Sequence, residues 1–107
     1  MLVGLGRAEE AIECFDRGLK IKPRDERAWY NKGIAQVNLG RLGEAIECCD
    51  RALQINPRLA EAWMNKGAAL GKSGSIREAL ACFEEAYRLG AQGAAQGITL
   101  CRQKLGG

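Results

Sequence analysis

Between charged neighbours, apolar residues recur three and four apart at Ala11, Ile12, Cys14, Phe15 and Leu19, which is one face of a helix over Ala8 to Ile21. Pro23 ends that helix, because proline lacks the amide donor and restricts the residue before it. The spacing predicts a second helix over Glu26 to Leu39, with Asp25 as N-cap and Gly40 as the C-terminal stop. A tight turn at Gly40 and Arg41 leads into Leu42 to Ile55, which Asn56-Pro57 closes. Leu59 to Lys72 and Ile76 to Leu89 repeat the pair around Ser73-Gly74-Ser75, with Ser75 placed to cap. Gly90 stops the fifth helix, and a last one runs from Ala94 to Leu105. No segment alternates with period two, so the expected fold is all-α.

The same pattern recurs thirty-four residues later along the chain. Gly6, Gly40 and Gly74 share one phase, as do Glu10, Glu44 and Glu78, Ala11, Ala45 and Ala79, and Cys14, Cys48 and Cys82. Two-copy matches add Leu19 with Leu53, Pro23 with Pro57, Trp29 with Trp63, Asn31 with Asn65, Lys32 with Lys66 and Gly33 with Gly67. A period of this length built from two helices marks a solenoid, in which each unit buries its apolar face only by stacking on the next.

Trp29-Tyr30-Asn31-Lys32-Gly33, followed by Gly40, Ala45, Ala52 and Pro57, resembles the tetratricopeptide repeat in both residue type and spacing. Trp63-Met64-Asn65-Lys66-Gly67, then Gly74, Ala79, Phe83 and Ala86, resembles it again. The resemblance implies a right-handed superhelix of antiparallel helix pairs. Its phase divides the single domain into a partial repeat at 1–25, full repeats at 26–59 and 60–93, and a capping helix with a tail at 94–107. Several residues depart from the family pattern. Lys32 and Lys66 replace leucine, and their stems are expected to pack while the ammonium groups reach outward. Cys49 stands where Phe15 and Phe83 hold an aromatic, Ala91 replaces a third proline, and Cys101 takes a glycine-equivalent place as a small packing residue. Each motif residue has a packing reason first: Gly33, Gly67 and the alanines allow close helix approach, and the tryptophans fill the space between helices.

As the resemblance implies, function lies in a concave groove lined by the first helix of each repeat, which binds a peptide or partner protein without catalysis. By phase the groove offers Arg27, Tyr30, Asn31, Ile34, Val37 and Asn38, then Glu61, Met64, Asn65, Ala68 and Lys72, with Ile98 and Arg102 from the cap. Tyr30 and Met64 are contact residues, while Asn31 and Asn65 suit either backbone recognition or repeat packing. Some members of the family grip a C-terminal carboxylate with lysine, asparagine and arginine from three successive first helices. Tyr30, Ile34, Ala95 and Thr99 stand where such residues would be needed, so that grip is not expected here. Extrapolated backward, the phase starts Met1 inside a mostly missing first helix, as in a fragment. The face bearing Ala11, Phe15 and Leu19 is then expected to be partly wet. The alternative function is therefore structural self-association through that open edge, as a closed homodimer or a head-to-tail homo-oligomer.

Composition narrows the remaining classes. The 107 residues are 47% apolar and 27% charged, with a net charge of +3, which is ordinary for a globular protein and too mild to argue for nucleic acid. Arg17, Lys20, Lys22 and Arg24 cluster where they complement a helix C-terminus. No apolar run reaches the ~20 residues that span a bilayer, and Met1 to Leu5 lacks the basic and apolar regions of a signal peptide. The expected setting is cytoplasmic, with no membrane partner. Five cysteines occur with no histidine and no Cys-x-x-Cys, so neither a zinc site nor a disulfide is expected, and no cofactor. Cys14, Cys48 and Cys82 sit in one phase of successive units, about 8–10 Å apart, beyond disulfide reach, and read as small buried apolar groups. Without histidine the usual general base near neutral pH is missing, and there is no phosphate loop or nucleophile elbow. Glu84 and Arg88 have the favourable order for a helix-surface pair.

Overall fold

The computed structural model describes residues 2–106, and their side chains from Gly6 onward. Six helices account for the described chain: α1 Leu2–Ile21, α2 Glu26–Asn38, α3 Leu42–Ile55, α4 Ala60–Lys72, α5 Ile76–Arg88 and α6 Ala94–Gly106. No helix among them is long and apolar enough to cross a membrane. Each packs on its neighbours in sequence, so the body is a slab of 43 × 32 × 20 Å. In addition α2 meets α4 and α4 meets α6, whereas α1, α3 and α5 do not meet one another. The stack is therefore tighter on the side of α2, α4 and α6, and that side is the inner wall of a curved solenoid.

Small residues set the helix spacing. Ala45, Ala52, Ala62, Ala69, Ala79, Ala86 and Ala94 are all at 0% exposure. A methyl group added at Gly33 would meet the Ala45 carbonyl and the Cys49 Sγ at 3.4 Å, so α2 and α3 pack closely there. Gly97 falls in the phase of the two tryptophans, and the reason is visible: the Phe83 ring lies 2.8 Å from where its Cβ would be. Trp29 and Trp63 cover the cluster of Ala52, Leu53, Leu59 and Ala62. Their indole N–H groups donate to the carbonyls of Pro23 and Pro57 at 2.9 Å, tying each first helix to the turn before it.

Turns follow the expected chemistry with one exception. The Asp25 carboxylate accepts from the amides of Arg27 and Ala28, as an N-cap should. Gly40, Gly74 and Gly90 have φ of 78°, 94° and 88°, and the amide after each reaches back to Gln36, Leu70 and Ala86. Ser75, expected to cap α5, makes no side-chain cap bond; it is Ser73 that bonds, donating its hydroxyl to the Leu70 carbonyl. Gly6 shares the phase of Gly40 and Gly74, yet α1 runs straight through it.

Charged side chains are more engaged than the sequence suggests. The Lys32 ammonium pairs with Asp16 at 2.6 Å and lies 5.4 Å from the Trp29 ring centre. Lys66 repeats this with Asp50 at 2.7 Å and Trp63 at 5.7 Å. Rather than reaching outward, each lysine braces its helix to the preceding one. Burial alone would lower the Lys66 pKa, but the hydrogen bond and charge of Asp50 raise it above its ordinary value. Arg88 pairs with Glu85, not Glu84, with Nε 3.0 Å from the carboxylate, and Glu84 turns instead toward Arg102 of α6 at 3.6 Å. The i+3 partner lies closer to the guanidinium along the helix face, which frees Glu84 for the neighbouring helix.

Two glycine substitutions should move stability in opposite directions. Gly97→Ala is expected to lower it by about 1–3 kcal/mol, through overpacking against Phe83. Gly18→Ala, at an exposed position inside α1 with nothing nearby, should raise it by roughly 0.5–1 kcal/mol. Urea denaturation followed by circular dichroism checks both signs.

Candidate functional site

The inner wall distributes the thirteen expected groove residues unequally among three hollows. Tyr30 of α2 and Glu61, Met64, Asn65 and Ala68 of α4 line the main cleft, of about 650 Å³. Its far side is the α5–α6 turn, Leu89, Gly90, Ala91 and Gln92, together with Ala60. The sequence reading missed that turn, because it lies outside the first-helix phase. The signal available was Gly90, whose left-handed φ of 88° turns the chain toward α4. Asn31, Ile34 and Asn38 belong instead to a seam between α1 and α2, with Arg7, Ala8, Ala11, Phe15 and Ala35. Ile98 and Arg102 lie between α5 and α6, beside Glu84, Tyr87, Ala95 and Thr99. Half-buried Val37 and exposed Lys72 line none of these hollows.

Arg27 stands on the rim of the main cleft, its guanidinium 3.2 Å from the Glu61 carboxylate and thirty-four residues from it. The Tyr30 pKa is raised, first by burial and then by the negative charge of Glu61, with Arg27 acting in the opposite sense. The Asn65 amide nitrogen reaches the Cys49 Sγ at 3.7 Å, so one end of this side chain serves the packing between α3 and α4. The cleft can thus offer apolar contact from Tyr30, Met64 and Leu89, and acceptors from Glu61 and the free end of Asn65.

Along the face read as open for self-association, Leu19 is buried at 7% exposure, and Ala11 and Phe15 are half-buried on the α2 side of α1. The second helix of one unit rests on the first helix of the next, so this stripe packs in part within the chain. The exposed Cys14 lies on the side of α1 equivalent to the side of α3 from which Cys48 meets Gln36 of α2.

Family models for the tetratricopeptide repeat match residues 26–59 and 60–89, and one for the TPR repeat matches residues 1–40. The chain belongs to the tetratricopeptide repeat family. Solved structures of tetratricopeptide domains share its fold. The first TPR of Spaghetti (RPAP3), bound to the HSP90 peptide SRMEEVD, superposes with a TM-score of 0.91 at 24% identity, over 95% of this chain and 82% of that one. The Sgt2 TPR domain from Aspergillus fumigatus gives 0.88 at 20% identity, over 94% and 69%. The complex of the TPR2B domain of yeast Sti1 with pHsp70 gives 0.87 at 21% identity, over 92% and 86%. No curated protein matches the chain.

In this tetratricopeptide chain the thiols split into two kinds. Cys48, Cys49, Cys82 and Cys101 are buried, whereas Cys14, expected to be buried in the same phase, is exposed on a side of α1 that no other described helix covers. The Cys48 S–H donates to the buried Gln36 Oε1 at 3.0 Å. Burial pushes the Cys48 and Cys49 thiols up from 9.0 to about 11 and about 12. The thiolate is the nucleophile, so these two are inert near neutral pH. In a reaction with a thiol-specific dye at pH 8, one cysteine, Cys14, should label rapidly in the native protein and the other four only on unfolding. Because the folded pKa values are raised, the folded state holds protons the unfolded state has lost. Stability should therefore fall as pH rises from about 9 through 11 and 12, which urea midpoints across that range would reveal.

Proposed function

We propose that this chain is a non-catalytic interaction scaffold that holds an extended peptide, or an extended segment of a partner protein, against α2 and α4. The main cleft is the observation that carries this reading. It gathers residues from two successive repeats, Tyr30 with Glu61, Met64, Asn65 and Ala68, and its 650 Å³ lies within the range of ligand sites. The likeness in fold to a domain holding an HSP90 peptide and to one in complex with pHsp70 supports a peptide on the same wall. Against catalysis stand the lack of histidine in the sequence and the protonated state of the buried thiols.

The ends of those chaperone peptides are a poor guide to the partner of this chain. Tyr30, Ile34, Ala95 and Thr99 occupy the positions where a basic or amide side chain would grip a terminal carboxylate, and Ile34 faces the α1–α2 seam rather than the cleft. Of the two equivalent asparagines, Asn65 lines the cleft and Asn31 lines the α1–α2 seam.

Affinity capture with immobilised wild-type chain, Tyr30→Ala, Asn65→Ala and the exposed control Arg77→Ala tests the reading. The two cleft variants should each weaken the retained partner by about 1 kcal/mol or more, roughly fivefold or greater, and the control should not. Unchanged capture by both cleft variants would reject the scaffold reading as placed here.

A further inference from the structure

We propose that the occupant of the main cleft is a peptide segment that seats an aliphatic or aromatic side chain beside a lysine or arginine. The proposal rests on the reading of this cleft as a peptide site and adds the chemistry of what it holds.

Shape and polarity supply the apolar half. Tyr30, Met64, Ala68 and Leu89 form most of the wall, with Ala91 closing it from the α5–α6 turn. A bound apolar side chain would remove this surface from water, and the adaptable Met64 can mould to its outline.

Charge supplies the other half. Among the residues that line the cleft Glu61 is the one formal charge. Its partner Arg27 sits on the rim at 3.2 Å, and both side chains are more than half exposed, so the pair is weak enough for an arriving cation to share the carboxylate. At the Tyr30 hydroxyl the influence of Glu61 exceeds that of Arg27. The C-terminal end of α5, the negative pole of its backbone dipole, meets the cleft through Leu89 and Gly90. The opposing N-terminus of α4 is already answered by Glu61 in its first turn. Since the Asn65 nitrogen is directed to Cys49, the amide oxygen is the atom left for a ligand, and it too is an acceptor. An acceptor-rich, apolar cleft matches a partner with donors and a positive charge, and repels an acidic tail.

Four capped nonapeptides on one glycine-serine frame, with neutral ends, separate the two halves: central leucine flanked by lysines or by glutamates, and central serine flanked by either. Titration into the full chain, followed through backbone amide NMR shifts, should show the leucine-lysine peptide moving Tyr30, Met64, Asn65 and Gln92. It should bind about tenfold or more tightly relative to the leucine-glutamate and serine-lysine peptides at low salt. Glu61→Gln, an exposed change that leaves the packing intact, should cut the lysine preference by roughly fivefold. Equal or tighter binding of the leucine-glutamate peptide at these residues would overturn this proposal while leaving the peptide-site reading in place. Serine-lysine binding equal to leucine-lysine, or an unchanged preference in Glu61→Gln, would also overturn it. If no peptide shifts the cleft residues, the proposal and the peptide-site reading fall together.

Discussion

The close approach of helices through fully covered alanines governs the rest of this molecule. Seven alanines with no accessible surface line the contacts between the helices, and a methyl group at Gly33 would already touch α3 at 3.4 Å. Such contacts are short-ranged, and a single added carbon is felt because protein interiors are filled to crystal-like density. The larger side chains are then distributed around the close contacts. Trp29 and Trp63 pack against the core cluster, while Phe83 finds its space between Gly67 and Gly97, the latter in the phase of the tryptophans. Each tryptophan also carries a lysine that is paired with an aspartate of the preceding helix. One module thus combines apolar cover, a hydrogen bond to a prolyl carbonyl and an ion pair, and it occurs twice at the same spacing.

Curvature follows from this arrangement, and the binding surface follows from curvature. Because α4 meets both α2 and α6, while α1, α3 and α5 do not meet one another, the first helices draw together on one side. There the charges are arranged in pairs, Arg27 with Glu61 and Arg102 with Glu84, which leaves the middle of the wall to Tyr30, Met64 and Ala68. The ligand proposed above, an apolar anchor beside a cation, is the one argued from a wall of this kind. The buried thiols take no part in it. Apart from the Cys48 bond to Gln36 and the Asn65 contact to Cys49, they serve as small packing groups, and burial keeps the protons of Cys48 and Cys49 on.

Much of this was legible in the residues, and the exceptions have physical causes. Five of the six helices begin and end within one residue of the periodicity, since Pro23, Pro57, Gly40, Gly74 and Gly90 impose local backbone constraints that need no neighbour. Gly6 shares the phase of the turn glycines yet lies inside α1, because a glycine permits a left-handed residue but does not require one. Cys14 failed as a core residue because burial depends on what lies opposite, and Cys48 is covered only by its contact with α2. Lys32 and Lys66 were read as reaching into solvent because Asp16 and Asp50 lie on another helix, sixteen residues away.

The sequence by itself determined the repeat, its phase, the family and the helix-by-helix assignment of inner and outer positions. These depend on period and on turn chemistry, both of which act over a few residues. Which inner positions share one cleft was a matter for the tertiary structure. Asn31 and Asn65 hold the same phase, yet the first looks into the α1–α2 seam and the second into the main cleft, beside a turn from α5 to α6. Phase places a side chain on a face of its own helix. Only the packing of the next helix and the path of a distant turn decide what stands opposite it, and therefore what it can hold.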